Sequence, residues 1–278
     1  VEHLYAALRQ ADHDRYLSVL YAPEAKRSAL TAIYGFNAEI AAVRDRIHEP
    51  LPGEVRLQWW RDVINAGGPE AAAGHPLAMA LIDAIHTHRL PTSAFDNMIE
   101  ARIFDLYDDP MPSRDHLEGY LGETASALIQ LAALILDQEA AASAAELAGH
   151  AGCAQGIAGL LRLTPTHRAR GQCYVPAEVL AAAGVNADRF IAASDPPADE
   201  RAIAAMVALG REHWGKFRDM AGVMHPALRP AFIAAGLSPA YLAAVEKIGY
   251  GATVRVADIS GWRRHWLVYR AASGKWAV

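Results

Sequence analysis

The sequence predicts an all-α protein, and three observations carry that expectation. Alanine, leucine and isoleucine fill most segments, and no alternating polar and apolar run persists long enough for a sheet. Where apolar residues recur clearly, they do so at spacings of three and four. The gaps between such stretches are built from glycine, proline and cap-forming residues.

The clearest helix is expected over 24–48, where Leu30, Ile33, Tyr34, Asn37, Ile40, Ala41 and Arg44 recur a turn apart and Pro50 and Pro52 impose a stop. Further helices are expected over 53–65, 75–89, 92–107 and 114–137, separated by NAGGPEAAAG, RLPTS and YDDPMPSRD, with Ser113 as an N-cap. A helix over 142–162 ends in LTPTHRARG, because Pro165 lacks an N–H and would clash with the carbonyl of Leu161. The same proline biases Thr164 toward extended backbone. Short helices over 176–183 and 187–193 lead into SDPPADE. In 199–220, Ile203, Val207, Trp214 and Phe217 share one side, and Ser238 followed by Pro239 opens a helix over 239–250. No compositional switch or repeat marks a boundary. Residues 1–278 are therefore expected as one all-helical domain, although a chain of this size can also divide into two helical lobes. Residues 261–270 are expected to dock on that domain and 271–278 to form a flexible tail or a peripheral contact.

Composition narrows the function. With 53% hydrophobic and 21% charged residues and a formal charge of −5, the chain is globular in composition and lacks the basic excess of a nucleic-acid binder. Two cysteines, Cys153 and Cys173, make neither a disulfide framework nor a metal knuckle, so a reducing compartment is expected. No apolar run approaches the ~20 residues that span a bilayer. The opening VEHLYAALRQADHDRY lacks the ordered regions of a secretory signal. The expected location is the cytoplasm, with a peripheral position at the inner face of the membrane as its variant. Twelve histidines give no ligand spacing: His86 and His88 are two apart, and REHW at 211–214 lacks the second histidine of a zinc protease motif.

Four separated motifs, in order, resemble the squalene/phytoene synthase family. They are RYLSVLYAPEAKRSALTAIYGFNAEIAAVRD (15–45), RLQWWRD (56–62), YLGETASAL (120–128) and ARGQCYVPAEVL (169–180). The similarity covers most of 13–185 and weakens through the last third. Members are all-helical enzymes that join two isoprenoid diphosphates head to head. The resemblance therefore implies an isoprenoid-synthase-like helical bundle around a central cavity. In that family an aspartate-rich motif holds magnesium against the substrate diphosphate, and a second acidic motif faces it from a later helix.

This chain departs from the family at both motifs. The carboxylates of the first match Ala41, Ala42 and Asp45. On a continuous helix those positions share a face, where clustered oxygens can hold a hard cation, but a methyl group coordinates nothing. The ends of the second match Leu163 and His167, and histidine suits an oxygen-rich magnesium site poorly. The resemblance thus implies no catalytic residue and no cofactor. Magnesium returns only if a divergent synthase uses Asp45 with Asp105, Asp108 and Asp109. Arg15, Arg162 and Arg170 stand where relatives carry basic residues, and Tyr120 opens the family's central motif. With Tyr34 they are candidate cavity or anion-binding residues, unless the arginines brace helix ends through carboxylate pairs. The closing stretch interleaves Arg263, Arg264, Arg270 and Lys275 with Trp262, Trp266 and Tyr269, and carries no acid. Such a mixture suits a membrane or partner surface, and also a docked terminal helix with its cations outward.

One branch of the family keeps the fold and loses both acidic motifs: the assembly factors of respiratory complex I. AIYGFNAEIAAVRD followed by a degraded second motif is similar to that branch. The implied function is a non-catalytic assembly factor for NADH–quinone oxidoreductase. Its implied partners are complex I subunits or assembly proteins and an isoprenoid or anionic lipid, with no nucleic acid. A divergent isoprenoid diphosphate synthase and an isoprenoid lipid-binding module are the alternatives.

Overall fold

A computed structural model of the chain describes residues 2–68 and 70–276, and every regular element among them is helical. They divide into two compact units, each assembled from separated stretches of chain. The first unit takes the residues up to Tyr107 together with Ala127–Glu146 and Met224–Ala234. The second takes Asp108–Ser126, Leu147–Val223 and the residues from Ala235 onward.

The first unit opens with α1 (Glu2–Ala11), α2 (His13–Leu20) and α3 (Glu24–Ala41). It continues with α4 (Pro50–Ala66), α5 (Pro76–His88) and α6 (Thr92–Ile103). α3 buries Leu30, Ile33, Tyr34, Phe36, Asn37 and Ile40, and packs on α1 and α5. A helix buried so nearly all round is the spine of its unit. Its approach to α5 depends on Gly35, where a Cβ would stand 2.8 Å from Leu77 Cδ1. Phe36 then meets the edges of Trp60 and Phe95, at ring separations of 5.2 and 5.5 Å.

The long helix expected over 24–48 is broken. α3 stops at Ala41, Ala42 has φ −85° and ψ 0°, and a single turn Val43–Arg46 follows. Pro50 and Pro52 do not end this helix; they lie in the first turn of α4, where a missing N–H is harmless.

α7 (Arg114–Leu136) begins in the second unit and finishes in the first. Ser113 caps it as expected, its side chain accepting from the His116 amide. Gly122–Ser126 forms a π-helical turn inside it. Within α7 an 18-residue window reaches a mean hydropathy of 1.4, enough by length and composition to cross a membrane, although Glu123 and Gln130 interrupt any continuous apolar run. Two thirds of that window, 67%, is buried within the protein, as in the core helix of a folded domain.

The second unit adds α8 (Ala145–Arg162), α9 (Thr164–Ala169) and α10 (Ala177–Ala183). It ends with α11 (Pro196–Met220), α12 (Ser238–Ile248) and α13 (Gly261–Ala272). α11 packs on α10 and α12, and starts three residues before the expected 199 because Asp195 caps it and proline fits its first turn. α8 ends at Arg162 as expected, yet Thr164 is helical and not extended: Pro165 sits in the first turn of α9. For 271–278 the expectation is a flexible tail or a peripheral contact. Instead α13 runs to Ala272, and Trp276 is buried edge-on against Phe217 with ring centroids 5.2 Å apart. Residues 277–278 lie outside the described residues.

Candidate functional site

In the first unit, the degraded motif spans the break at Ala42. Ala41 and Ala42 are half-buried and Asp45 is exposed beyond the break, with its amide bonded back to the Ala42 carbonyl at 3.1 Å. The helix is interrupted at Ala42 for a single residue, and the Arg46 amide still bonds back to the Ala42 carbonyl at 3.3 Å. Glu39 is engaged by Arg46 at 3.1 Å and lies 3.9 Å from Arg56. Asp105, proposed as a substitute ligand, is buried against Arg102 at 3.0 Å.

The basic candidate of this unit is internally committed. The Asp12 carboxylate caps α2 and also binds the Arg15 guanidinium at 2.5 Å. That guanidinium lies 5.9 Å from the Tyr34 ring centroid. Burial pushes the Tyr34 phenol above its usual range, against the pull of Arg15, so it stays neutral. Three residues along the same helix, buried Asn37 has its Oδ1 without a hydrogen-bond partner.

In the second unit, the other degraded motif is split between α8 and α9. Leu163, at the junction, is 46% exposed, and His167 is turned onto the Tyr174 ring at 4.7 Å. Tyr120 lies 6.0 Å from Tyr174, so the family tyrosine joins an aromatic cluster. Arg162 donates to the Ala257 carbonyl at 3.1 Å and to Asp258 at 3.2 Å, and stacks 3.7 Å above Tyr241. Arg170 is half-buried after the last turn of α9. His167, Cys173, Tyr174 and Arg168 line a cavity of about 10 Å³, room for a single water.

The donor set does not fit a magnesium–diphosphate centre. Among the described residues no three His, Cys, Asp or Glu side chains are grouped to hold a metal ion. Leu163 and Ala41 supply no oxygen, and the second motif's only polar end residue is an imidazole.

A different constellation was missed by spacing in the sequence. His150 Nδ1 and His213 Nδ1 lie 3.0 Å apart, and His213 Nε2 is 3.1 Å from Glu118 Oε1. That same oxygen accepts from Arg114 at 2.6 Å, and Arg114 and Lys216 both reach Glu212, at 3.1 and 2.8 Å. A hydrogen bond between two imidazole nitrogens needs one proton. Which ring carries it is set by the tautomer of the pair. Burial of Glu118 opposes its charge, but Arg114 and His213 outweigh it and hold its carboxyl below the usual range. Hydrogen bonds from Lys216 and Arg114 bring Glu212 down to about 2. Glycines make the approach possible. A Cβ on Gly152 would stand 2.5 Å from the Ser126 backbone, and one on Gly156 would stand 2.3 Å from Leu121. Asp199 was also missed: fully buried, with both oxygens unpartnered, its carboxyl is pushed up by burial against the charge of Arg168. The only sequence signal for these residues is the small-residue row Gly149, Gly152, Gly156 on α8.

Comparison with known proteins gives this geometry its context. Residues 8–270 match the family described as squalene/phytoene synthase. The chain belongs to the squalene/phytoene synthase family. "NADH dehydrogenase (ubiquinone) complex I, assembly factor 6" of Rattus norvegicus is 35% identical over 192 residues, 68% of this chain and 57% of the rat protein. The protein of the same name from Homo sapiens is 31% identical over 184 residues, 66% of this chain and 55% of its own length. The match thus spans little more than half of these relatives. Presqualene diphosphate synthase of Zymomonas mobilis is 28% identical over 189 residues, 66% of this chain and 63% of its own. Among solved structures, a dehydrosqualene synthase in complex with ligand superposes with a TM-score of 0.82 at 17% identity, over 98% of this chain and 95% of that one. Squalene synthase HpnC from Alicyclobacillus acidocaldarius gives 0.72 at 22% identity, over 90% and 94%. The fold expected from the motifs is therefore the family's own.

Proposed function

We propose that this chain is a non-catalytic squalene/phytoene synthase family protein that serves the assembly of a respiratory NADH–quinone oxidoreductase. In this role it binds a complex I subunit or assembly protein, or an isoprenoid lipid, in the cytoplasm and at the inner face of the membrane. The observation that carries the proposal is the fate of the two acidic motifs. Four of the matched positions, 41, 42, 163 and 167, lack carboxylates, and the backbone breaks at Ala42 and at Leu163. An ionising allylic diphosphate needs its leaving charge neutralised, normally by metal as well as by basic side chains. Here Arg15 and Arg162 already serve Asp12 and Asp258. Similarity to complex I assembly factors supports the same role.

The test is incubation of purified protein with farnesyl diphosphate and magnesium. No diphosphate release is expected; release coupled to a condensed product overturns the proposal. Disruption of the gene in its source organism should lower assembled NADH–quinone oxidoreductase on native gels. Unchanged assembly removes the assembly role. The synthase alternative is favoured by one observation, the similarity to presqualene diphosphate synthase, and it predicts turnover in the first assay.

A further inference from the structure

α13 is docked on one side and bare on the other. Leu267, Val268 and Ala271 are buried, and Arg264 turns inward to Asp258 at 2.9 Å and to the Tyr241 hydroxyl at 3.3 Å. The opposite arc carries three rings. Trp262 is 78% exposed, Trp266 44% and Tyr269 61%. Spaced by four and three, they fall within an arc of about 60° on a helix about 18 Å long. Arg263 and Arg270 border the rings on one side and exposed His265 on the other, and the Arg270 guanidinium lies 4.7 Å from the Trp266 centroid. Exposed Lys275 follows the helix. No acid occurs in 259–276, and the nearest, Asp258, is paired with Arg162 and Arg264. In the loop before the helix, Val254 and Val256 are also exposed, with Arg255 between them.

Folding does not require this stripe, since the packed face holds α13 without it. Its chemistry selects the occupant. Trp and Tyr rings bordered by cations and by no acid match an anionic bilayer, where rings sit at headgroup depth and cations meet lipid phosphates. Aromatic rings and arginine also anchor protein interfaces, so it is the one-signed charge of 259–276, with no acid among its cations, that selects an anionic surface.

We propose that α13 is a membrane-surface helix, with Trp262, Trp266 and Tyr269 in the headgroup region of an anionic bilayer and Arg263, Arg270 and Lys275 on its phosphates. The inference rests on the peripheral position proposed above and names the surface responsible. It is measured with vesicles and no assembly partner, so its failure leaves the assembly role standing, and the reverse.

The experiment is co-sedimentation of the full chain with vesicles of phosphatidylcholine alone or with roughly one third phosphatidylglycerol, at about 0.1 M salt. Binding at least tenfold tighter to the anionic vesicles is expected, weakening as salt rises. Removing a cation should weaken it about fivefold each, so the double reversal R263E/R270E should lose more than tenfold. The triple variant W262A/W266A/Y269A should lose binding while keeping the wild-type melting temperature, since these rings are exposed. Failure of the folded wild type to bind anionic vesicles overturns the proposal, as does wild-type binding by either variant. Vesicle-blind protein whose ring variant loses a stoichiometric protein partner overturns it in favour of a protein surface.

Discussion

Arg162 shows how a family position changes meaning when its neighbours change. Its guanidinium donates to a backbone carbonyl, pairs with Asp258 and lies flat on Tyr241, which leaves it committed within its own unit. Arg162→Ala is expected to lower unfolding free energy by about 1–3 kcal/mol, read by urea denaturation. A variant as stable as wild type would mean that this arginine braces nothing. Glu118 is one source of pH dependence. Its folded carboxyl titrates below the usual 4.5, so its stabilisation is complete above that value and is lost as pH falls through the folded one. Glu118→Gln should therefore be less stable than wild type at pH 7, and the gap should close on acidification below about 4.5. Thermal melts across that range measure the gap. A gap that widened toward acid would reverse the sign of the linkage.

At the scale of elements, the row of small residues on α8 has unequal members. A methyl on Gly152 meets the Ser126 backbone at 2.5 Å, whereas nothing lies within 4 Å of one on Gly159. Gly152→Ala should cost about 1–3 kcal/mol, because neither backbone can retreat. Gly159→Ala should stabilise by roughly 0.5–1 kcal/mol, because alanine replaces glycine within a helix at no steric cost. Calorimetry on the pair separates close approach from helix propensity, and equal shifts would refute the packing argument. The π-helical turn Gly122–Ser126 lies on the other side of this contact, within the family motif YLGETASAL. α13 belongs to the same scale: its two faces are sorted by the period of the helix alone, one into the unit and one into solvent.

At the scale of the molecule, family membership and the absence of carboxylates at 41, 42, 163 and 167 coexist because fold and site draw on different residues. The fold rests on buried apolar residues such as Phe36, Trp60 and Phe217. The site rests on a few carboxylates held in register. Restoring acids by A41D, A42D, L163D and H167D together is expected to yield no diphosphate release from farnesyl diphosphate. Arg15 and Arg162 stay committed to Asp12 and Asp258, so the cations that would share the leaving charge are not freed by the added acids. Turnover by that variant, measured as released diphosphate, would show that the carboxylates alone were missing.

Period, composition and proline placement in the sequence determined by themselves the helical class, most helix spans, the Ser113 cap and the end of α8 at Arg162. These are local effects, written within a few residues. Missing carboxylates at 41, 42, 163 and 167 were equally legible, since absent atoms need no coordinates. Only the tertiary structure decided that α3 breaks at Ala42, that Pro165 opens a turn and that Trp276 is packed. It alone joined His150, His213 and Glu118, and it alone sorted Arg264 inward and Trp262 outward. Each of those depends on which neighbour is brought close by packing, and spacing along the chain carries no record of that.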